Sequence, residues 1–303
     1  MKNYDPQVQL LIECLPAVAN IEAFALKGGT AINLLVRQDL PRLSVDIDLV
    51  YLPLQDRNSA LLGIEAGLMA IAQKLAKFSG FKIKSHKNLQ TQTITSLIVA
   101  ADLAQIKIEP NLILRGTVYP PIKRDLSQAV IKRYGRSVLN IPVVSIADLY
   151  AGKICAALDR QHPRDLFDIK ILLEEGITEE IKKAFLVYLA SHNRPMHELL
   201  QPNRLDLKDL YHQEFLGMTT FDLSLEELIY VREKLINTLL KSLTQNEREF
   251  LLGVKQGIVQ GEKLGLPEID KLPGIQWKLM NIEKMTIAAK TRALEKLAKV
   301  LGV

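Results

Sequence analysis

Through the first half of the chain, short apolar runs alternate with stretches of helical periodicity, which predicts a mixture of strands and helices in one α/β layer structure. Ala23 to Leu26 (AFAL) reads as a strand, and Gly28-Gly29 breaks it. Thr30 to Val36 follows as a helix, because Ala31, Leu34 and Leu35 keep one face toward a core. After Pro41, the run SVDIDLVYL alternates Val45, Ile47 and Leu49 on one side with Asp46 and Asp48 on the other. That is a half-buried strand with two carboxylates on its open face. Asn58 to Phe78 is a long apolar-rich helix, and FKIKSHK, QTITSLIVA and AQIKIEPNL are strands that extend the same sheet. From Gly116 to Asn140, Pro120-Pro121 and the basic residues Lys123, Arg124, Lys132, Arg133 and Arg136 predict a connection over the surface.

The pattern changes near Pro142, where we expect a seam. Ser145 followed three positions on by Asp148 resembles a capping box, opening a helix through Tyr150, Lys153 and Ala157. Pro163 closes a turn, Arg164 to Glu174 begins a second helix, and from Ile181 onward periodic Leu, Ile and Phe predict a chain of helices. The expected organisation is therefore α+β: residues 1–141 as a mixed core domain and 142–303 as an all-helical domain. A length of 303 residues exceeds the usual size of one hydrophobic core and agrees with two domains.

With 48% apolar, 24% charged and 6% aromatic residues, the chain is neither disordered nor fibrous. A net charge of +5 is a mild bias toward polyanions that a solvated surface explains equally well. The two cysteines, Cys14 and Cys155, lack zinc or disulfide spacing and fit a reducing compartment. Glu65 interrupts the best apolar stretch, and the N-terminal LLIECLPAVA lacks the basic start of a secretory signal, so the expected location is the cytoplasm, with no membrane partner.

Asp46 and Asp48 are the most informative residues. Two positions apart on a strand they point the same way, with Cα atoms ~6.6 Å apart. They can close on one hard divalent cation, which prefers oxygen ligands and keeps positions open for phosphates. An isolated Asp-x-Asp is more often a solvated strand face, but the context is richer. Gly28-Gly29 lies between a strand and a helix, where backbone N–H groups can approach a phosphate, and Thr30 can add a hydroxyl. In IKIEP, Glu109 shares the open face with Lys107, and a neighbouring strand would bring it beside the aspartates. Farther on, Lys153 could neutralise triphosphate charge, while Asp165 and Asp168 either stabilise a helix start or, in the case of Asp168, hold Lys153 or Arg160 in position. His192 and His197, five apart, miss helical metal spacing, and His162 sits between the two helices of interest.

Taken in order, LKGGTAINLL, RLSVDIDLVYL, IKIEP and DLYAGKICAALDRQHPRDLFDI resemble the AbiEii/AbiGii nucleotidyltransferase toxins, and the C-terminal LPGIQWKLMNIEKM is similar to that family's closing helical segment. The resemblance implies a polymerase-β-like nucleotidyltransferase core followed by a helical domain that contributes Lys153 and Asp168 to the cleft. Residue by residue, Asp46 and Asp48 match the metal-binding acids, Lys153 a motif lysine, and Asp168 the closing acidic motif. Gly28, Gly29, Thr30, Ser44 and Asp165 match nucleotide-binding positions. Glu109 matches the third acidic position, although Pro110 after it departs from the expected strand continuation.

The implied reaction transfers a nucleoside monophosphate from an NTP to an acceptor hydroxyl, with Mg2+ (or Mn2+) as cofactor and the 3′ end of tRNA as acceptor. The implied context is a type IV toxin–antitoxin or abortive-infection system with an antitoxin encoded nearby, not necessarily in direct contact. Two other readings stay open: a small-molecule or protein acceptor, and a nucleotide-binding protein without catalysis.

Overall fold

The computed structural model describes residues 4–89, 91–102 and 104–303. The chain divides into two compact units, 1–145 with 216–222, and 146–215 with 223–303.

In the first unit, helix α1 (Asp5–Ala19) precedes β1 (Phe24–Lys27), a short helix α2 (Gly28–Thr30) that runs on as a π-helix (Ala31–Val36), and β2 (Asp46–Tyr51). Then come α3 (Arg57–Leu75), β3 (Lys82–Lys87), β4 (Ile94–Ala101), β5 (Ala104–Pro110), β6 (Ile122–Arg124), α4 (Gln128–Tyr134) and β7 (Ile141–Val143). The strands form one seven-stranded sheet in the order β3-β4-β5-β2-β1-β7-β6. It is mixed: β2 runs parallel to β5 and β1 parallel to β7, while the other neighbouring pairs are antiparallel. The alternation read from the sequence decides which face is covered. Leu26, Ile47, Leu49, Leu97, Val99, Ile106 and Ile108 are buried, and α1 and α3 pack on the sheet. Phe24 and Tyr51 meet edge to face at 5.9 Å on that side, and the absence of side chains at Gly63 and Gly67 lets α3 approach their rings. Asp56 starts α3 by accepting hydrogen bonds from the backbone N–H groups of Asn58 and Ser59.

Three local expectations need correction. The helix after β1 begins at Gly28 rather than Thr30, and from Ala31 its bonding is of the π type, with Arg37 N–H donating to Ile32 O at 2.8 Å. The stretch from Gly116 to Asn140 is not merely a surface connection, since β6 joins the sheet and Ser127 caps α4. Pro142 lies inside β7, and the first unit continues to Ser145.

The second unit is helical: α5 (Ile146–Asp159), α6 (Pro163–Glu175), α7 (Glu179–Ser191), α8 (Met196–Leu200), α9 (Lys208–Leu210) with a π turn (Tyr211–Phe215), α10 (Leu225–Ser242), α11 (Gln245–Gln256), α12 (Pro273–Glu283) and α13 (Ile287–Leu301). Ser224 and Thr244 open α10 and α11 with complete capping boxes. Buried Phe167, Phe185, Phe215 and Phe250 anchor its core. Residues 216–222 depart from this pattern. They return to the first unit, where Leu43 N–H donates to Met218 O at 2.8 Å and Thr220 N–H to Pro41 O at 2.9 Å. Among the described residues no helix is long and apolar enough to cross a membrane.

Candidate active site

Strand pairing gathers five charged residues of β1, β2 and β5 on the sheet face opposite Ile47 and Ile108. Asp48 lies in register with Lys27 on one side and Glu109 on the other, and Asp46 lies beside Lys107. Directly paired residues share a face. Lys27, Asp46, Asp48, Lys107 and Glu109 therefore form two adjoining rows on one surface. β5 continues through Pro110, paired with Leu49, so the proline does not interrupt the strand that carries Glu109.

The glycine turn meets this surface at Asp48. Gly28 has φ +72°, and a Cβ placed on it would stand 2.3 Å from Asp48 Oδ2. The missing side chain is what lets the carboxylate lie against the turn. Gly29 is equally close to the buried Arg42, whose Nη2 would be 2.5 Å from an added Cβ. Thr30 and Ser44 are buried behind the turn. Thr30 Oγ1 donates to the Asp46 carbonyl at 2.5 Å and lies 2.9 Å from Ser44 Oγ, while Asn33 Nδ2 donates to Gly29 O at 2.9 Å. These bonds fix the start of α2 against the start of β2, so Thr30 and Ser44 set the position of the acids through the backbone.

Asp48 is half-buried, Asp46 and Glu109 are exposed, and among the described residues Asp48 has no hydrogen bond or ion pair. Glu109 pairs with Lys107 at 2.5 Å. No group of three or more His, Cys, Asp or Glu among the described residues is arranged to hold a metal ion. The donor set available is therefore two strand carboxylates. That suits Mg2+, which commonly takes one or two protein carboxylates and completes its shell from water and substrate phosphates.

Gly28→Ala tests the turn. An added methyl meets a strained left-handed φ, costing about 1–2 kcal/mol, and must displace the Asp48 carboxylate. Denaturant melts should show that loss, and a displacement of this size should lower any activity that depends on Asp48 by about 10²-fold.

The second unit carries a different constellation. His162 caps α6, its Nδ1 accepting from Arg164 N–H at 3.1 Å, and Pro163 begins the helix. Asp165 and Asp168 then lie three apart on the face toward Lys153 of α5. Lys153 Nζ is 2.7 Å from Asp165 Oδ1 and 3.0 Å from Asp168 Oδ2, and Arg160 Nε is 2.5 Å from Asp165 Oδ2. Lys153 is only 5% exposed and both aspartates 1%. Burial alone would raise the Asp165 carboxyl, but Lys153 and Arg160 outweigh it and hold it well below the usual carboxylate range. Here Lys153 is the centre of a buried ion triad, and Arg160 goes to Asp165. His162 Nε2 lies 3.1 Å from Glu214 Oε2, and burial keeps the ring below its ordinary value despite that partner.

Two of the five basic residues of the 116–140 stretch are engaged in ion pairs with the first helix. Arg133 pairs with Asp5 at 2.8 Å and Arg136 with Glu13 at 2.7 Å, tying α4 and the segment just after it to α1. Lys27 and Arg42 were missed in the sequence. The signals were their places immediately before the glycine pair and two positions before Ser44.

A mixed sheet presenting paired aspartates beside a glycine turn, with a helical unit after it, is an arrangement that fits a nucleotidyltransferase. A sequence profile described as the nucleotidyl transferase AbiEii toxin of type IV toxin–antitoxin systems matches residues 9–254, and the chain belongs to that family. Membership implies an NTP substrate and an antitoxin partner. Among solved structures, MenT4, a nucleotidyltransferase toxin from Mycobacterium tuberculosis H37Rv, shares 15% identity and a TM-score of 0.60, covering 91% of this chain and 92% of its own. JHP933 from Helicobacter pylori shares 16% identity with a TM-score of 0.40, covering 80% of this chain and 94% of its own. No curated protein sequence matches the chain.

Proposed function

We propose that the protein transfers a nucleoside monophosphate from an NTP to the 3′-terminal hydroxyl of tRNA, with Mg2+ as cofactor. The acceptor oxygen forms a bond to the α-phosphorus, the bond from that phosphorus to the bridging oxygen breaks, and pyrophosphate leaves. The observation that carries this reading is the Asp48 carboxylate, without a protein partner among the described residues and set against Gly28, with Asp46 on the same face. Asp46 and Asp48 would hold the metal, which when bound supplies charge stabilisation for the phosphates. The Gly28-Gly29 backbone faces the triphosphate at a helix start. Glu109, in register beside Asp48, accepts the proton of the acceptor hydroxyl.

Incubation with each α-labelled NTP, Mg2+ and total RNA, followed by separation of RNA, protein and small molecules, tests the proposal. Label is expected in tRNA-sized RNA and disappears with chelator. Activity should fall steeply with added salt, as phosphate-backbone contacts require. Label confined to protein or to a small molecule would replace the acceptor while keeping the chemistry.

A further inference from the structure

A cavity of about 620 Å³ opens in the second unit, lined in part by α11, α12 and α13. This volume is in the range of a small-ligand site. Four cations line it: Lys255 of α11, Lys278 of α12, and Arg292 and Lys296 of α13, the last two on one face of their helix. Among the described residues none of the four pairs with a carboxylate. Lys278 Nζ donates to Arg194 O at 3.2 Å, and Arg292 Nε to Ala288 O of its own helix at 3.3 Å. The one acid in the lining, Glu198, lies 3.6 Å from Arg194 and 4.0 Å from His197.

The contrast among buried lysines is decisive. Lys153, Lys182 and Lys278 are the buried lysines of the described residues. Lys153 sits between Asp165 and Asp168, and Lys182 between Glu179 and Glu247. Lys278, 8% exposed, has a single carbonyl oxygen and the cavity. A buried ammonium without a counter-ion is costly. Burial, and then the charge of Lys255, push its pKa down to about 8, and burial lowers Lys255 as well. A bound anion would relieve both costs.

The same wall presents Trp277, the only tryptophan in the chain and half-buried at the cavity. A flat ring beside a cluster of uncompensated cations matches one chemistry: a base or nucleoside ring stacked on the indole, with its phosphate on the lysines. We propose that this cavity is a nucleotide-binding site of its own, taking either a free nucleotide or a nucleotide residue of an RNA chain. Trp277, Lys278, Arg292 and Lys296 lie beyond residues 9–254 matched by the family profile, and the site shares no residue with the acids of β2 and β5. It does not rest on the acceptor or the metal proposed above.

Trp277 makes the test site-specific, because all indole fluorescence comes from this wall. The full chain is titrated in chelator with adenosine monophosphate, a short single-stranded oligoribonucleotide and inorganic phosphate. The nucleotide and the oligoribonucleotide are expected to quench, and phosphate at the same concentration is not. Arg292→Glu with Lys296→Glu, both exposed on α13, should weaken quenching at least about tenfold with an unchanged circular dichroism spectrum. Asp48→Ala should keep it, which separates this site from the reaction at β2. An oligoribonucleotide bound at least about tenfold more tightly than the mononucleotide assigns the site to RNA, and equal affinity assigns it to a free nucleotide. Absence of quenching, equal quenching by phosphate, or quenching indifferent to the charge reversals would overturn the proposal.

Discussion

Replacing Asp48 with alanine is expected to lower nucleotidyl transfer by ~10³-fold or more, equivalent to ~4 kcal/mol of transition-state stabilisation, with the fold intact. The two halves of that expectation come from the same observation. Asp48 has no hydrogen bond or ion pair among the described residues, so its removal leaves no buried donor orphaned. β2 remains fixed by its pairing with β1 and β5 and by Ile47 and Leu49 on the covered face. Removing one of several neighbouring acids also relieves repulsion, so the change in stability should stay within about 0.5 kcal/mol. Thermal melts supply a second readout. If the aspartates hold a divalent cation, Mg2+ raises the melting temperature of the unaltered chain by mass action and fails to do so for Asp48→Ala or Asp46→Ala. Full activity in a folded Asp48→Ala protein would remove the acids from the chemistry.

The open-face acids were legible because a strand has period two. Alternation alone put Asp46 and Asp48 on one side, and the same rule put Glu109 opposite Ile106 and Ile108. Pairing was not legible. That Asp48 stands between Lys27 and Glu109 depends on two partners from distant parts of the chain, and register leaves no local trace in either. The glycine pair announced a turn, yet only the fold shows that Gly28 makes room for a carboxylate and that Thr30 is spent on the Asp46 carbonyl. Residues 216–222 were read within a helical domain, but their backbone pairs with residues 41–43, a non-local contact that no periodicity encodes. The burial of Lys278 was hidden for a similar reason. Lysine is ordinarily a surface residue, and its enclosure depends on the packing of helices far apart in sequence.

Asp165→Asn is expected to destabilise the second unit by about 1.5–3 kcal/mol, because it weakens the charge-assisted bonds from Lys153 and Arg160 and leaves Lys153 with Asp168 as its one carboxylate. The effect should depend on pH in a defined direction. Lys153 and Arg160, overcoming the opposing effect of burial, hold the folded carboxyl below its unfolded value of about 3.9. Its contribution is therefore complete above that unfolded value and disappears as the pH falls through the lower folded one, so the gap between unaltered and variant proteins should close on acidification. Urea melts at neutral and acidic pH measure it. Stability alone does not reveal whether the triad also takes part in the reaction, since a buried ion group and a well-packed apolar replacement can be equally stable. The triple replacement Lys153→Met, Asp165→Leu, Asp168→Leu separates the two roles: it is expected to fold, and loss of label transfer in the folded variant would give the triad a part in the reaction. A triple variant that folds and keeps its activity would leave the triad as scaffolding of the second unit.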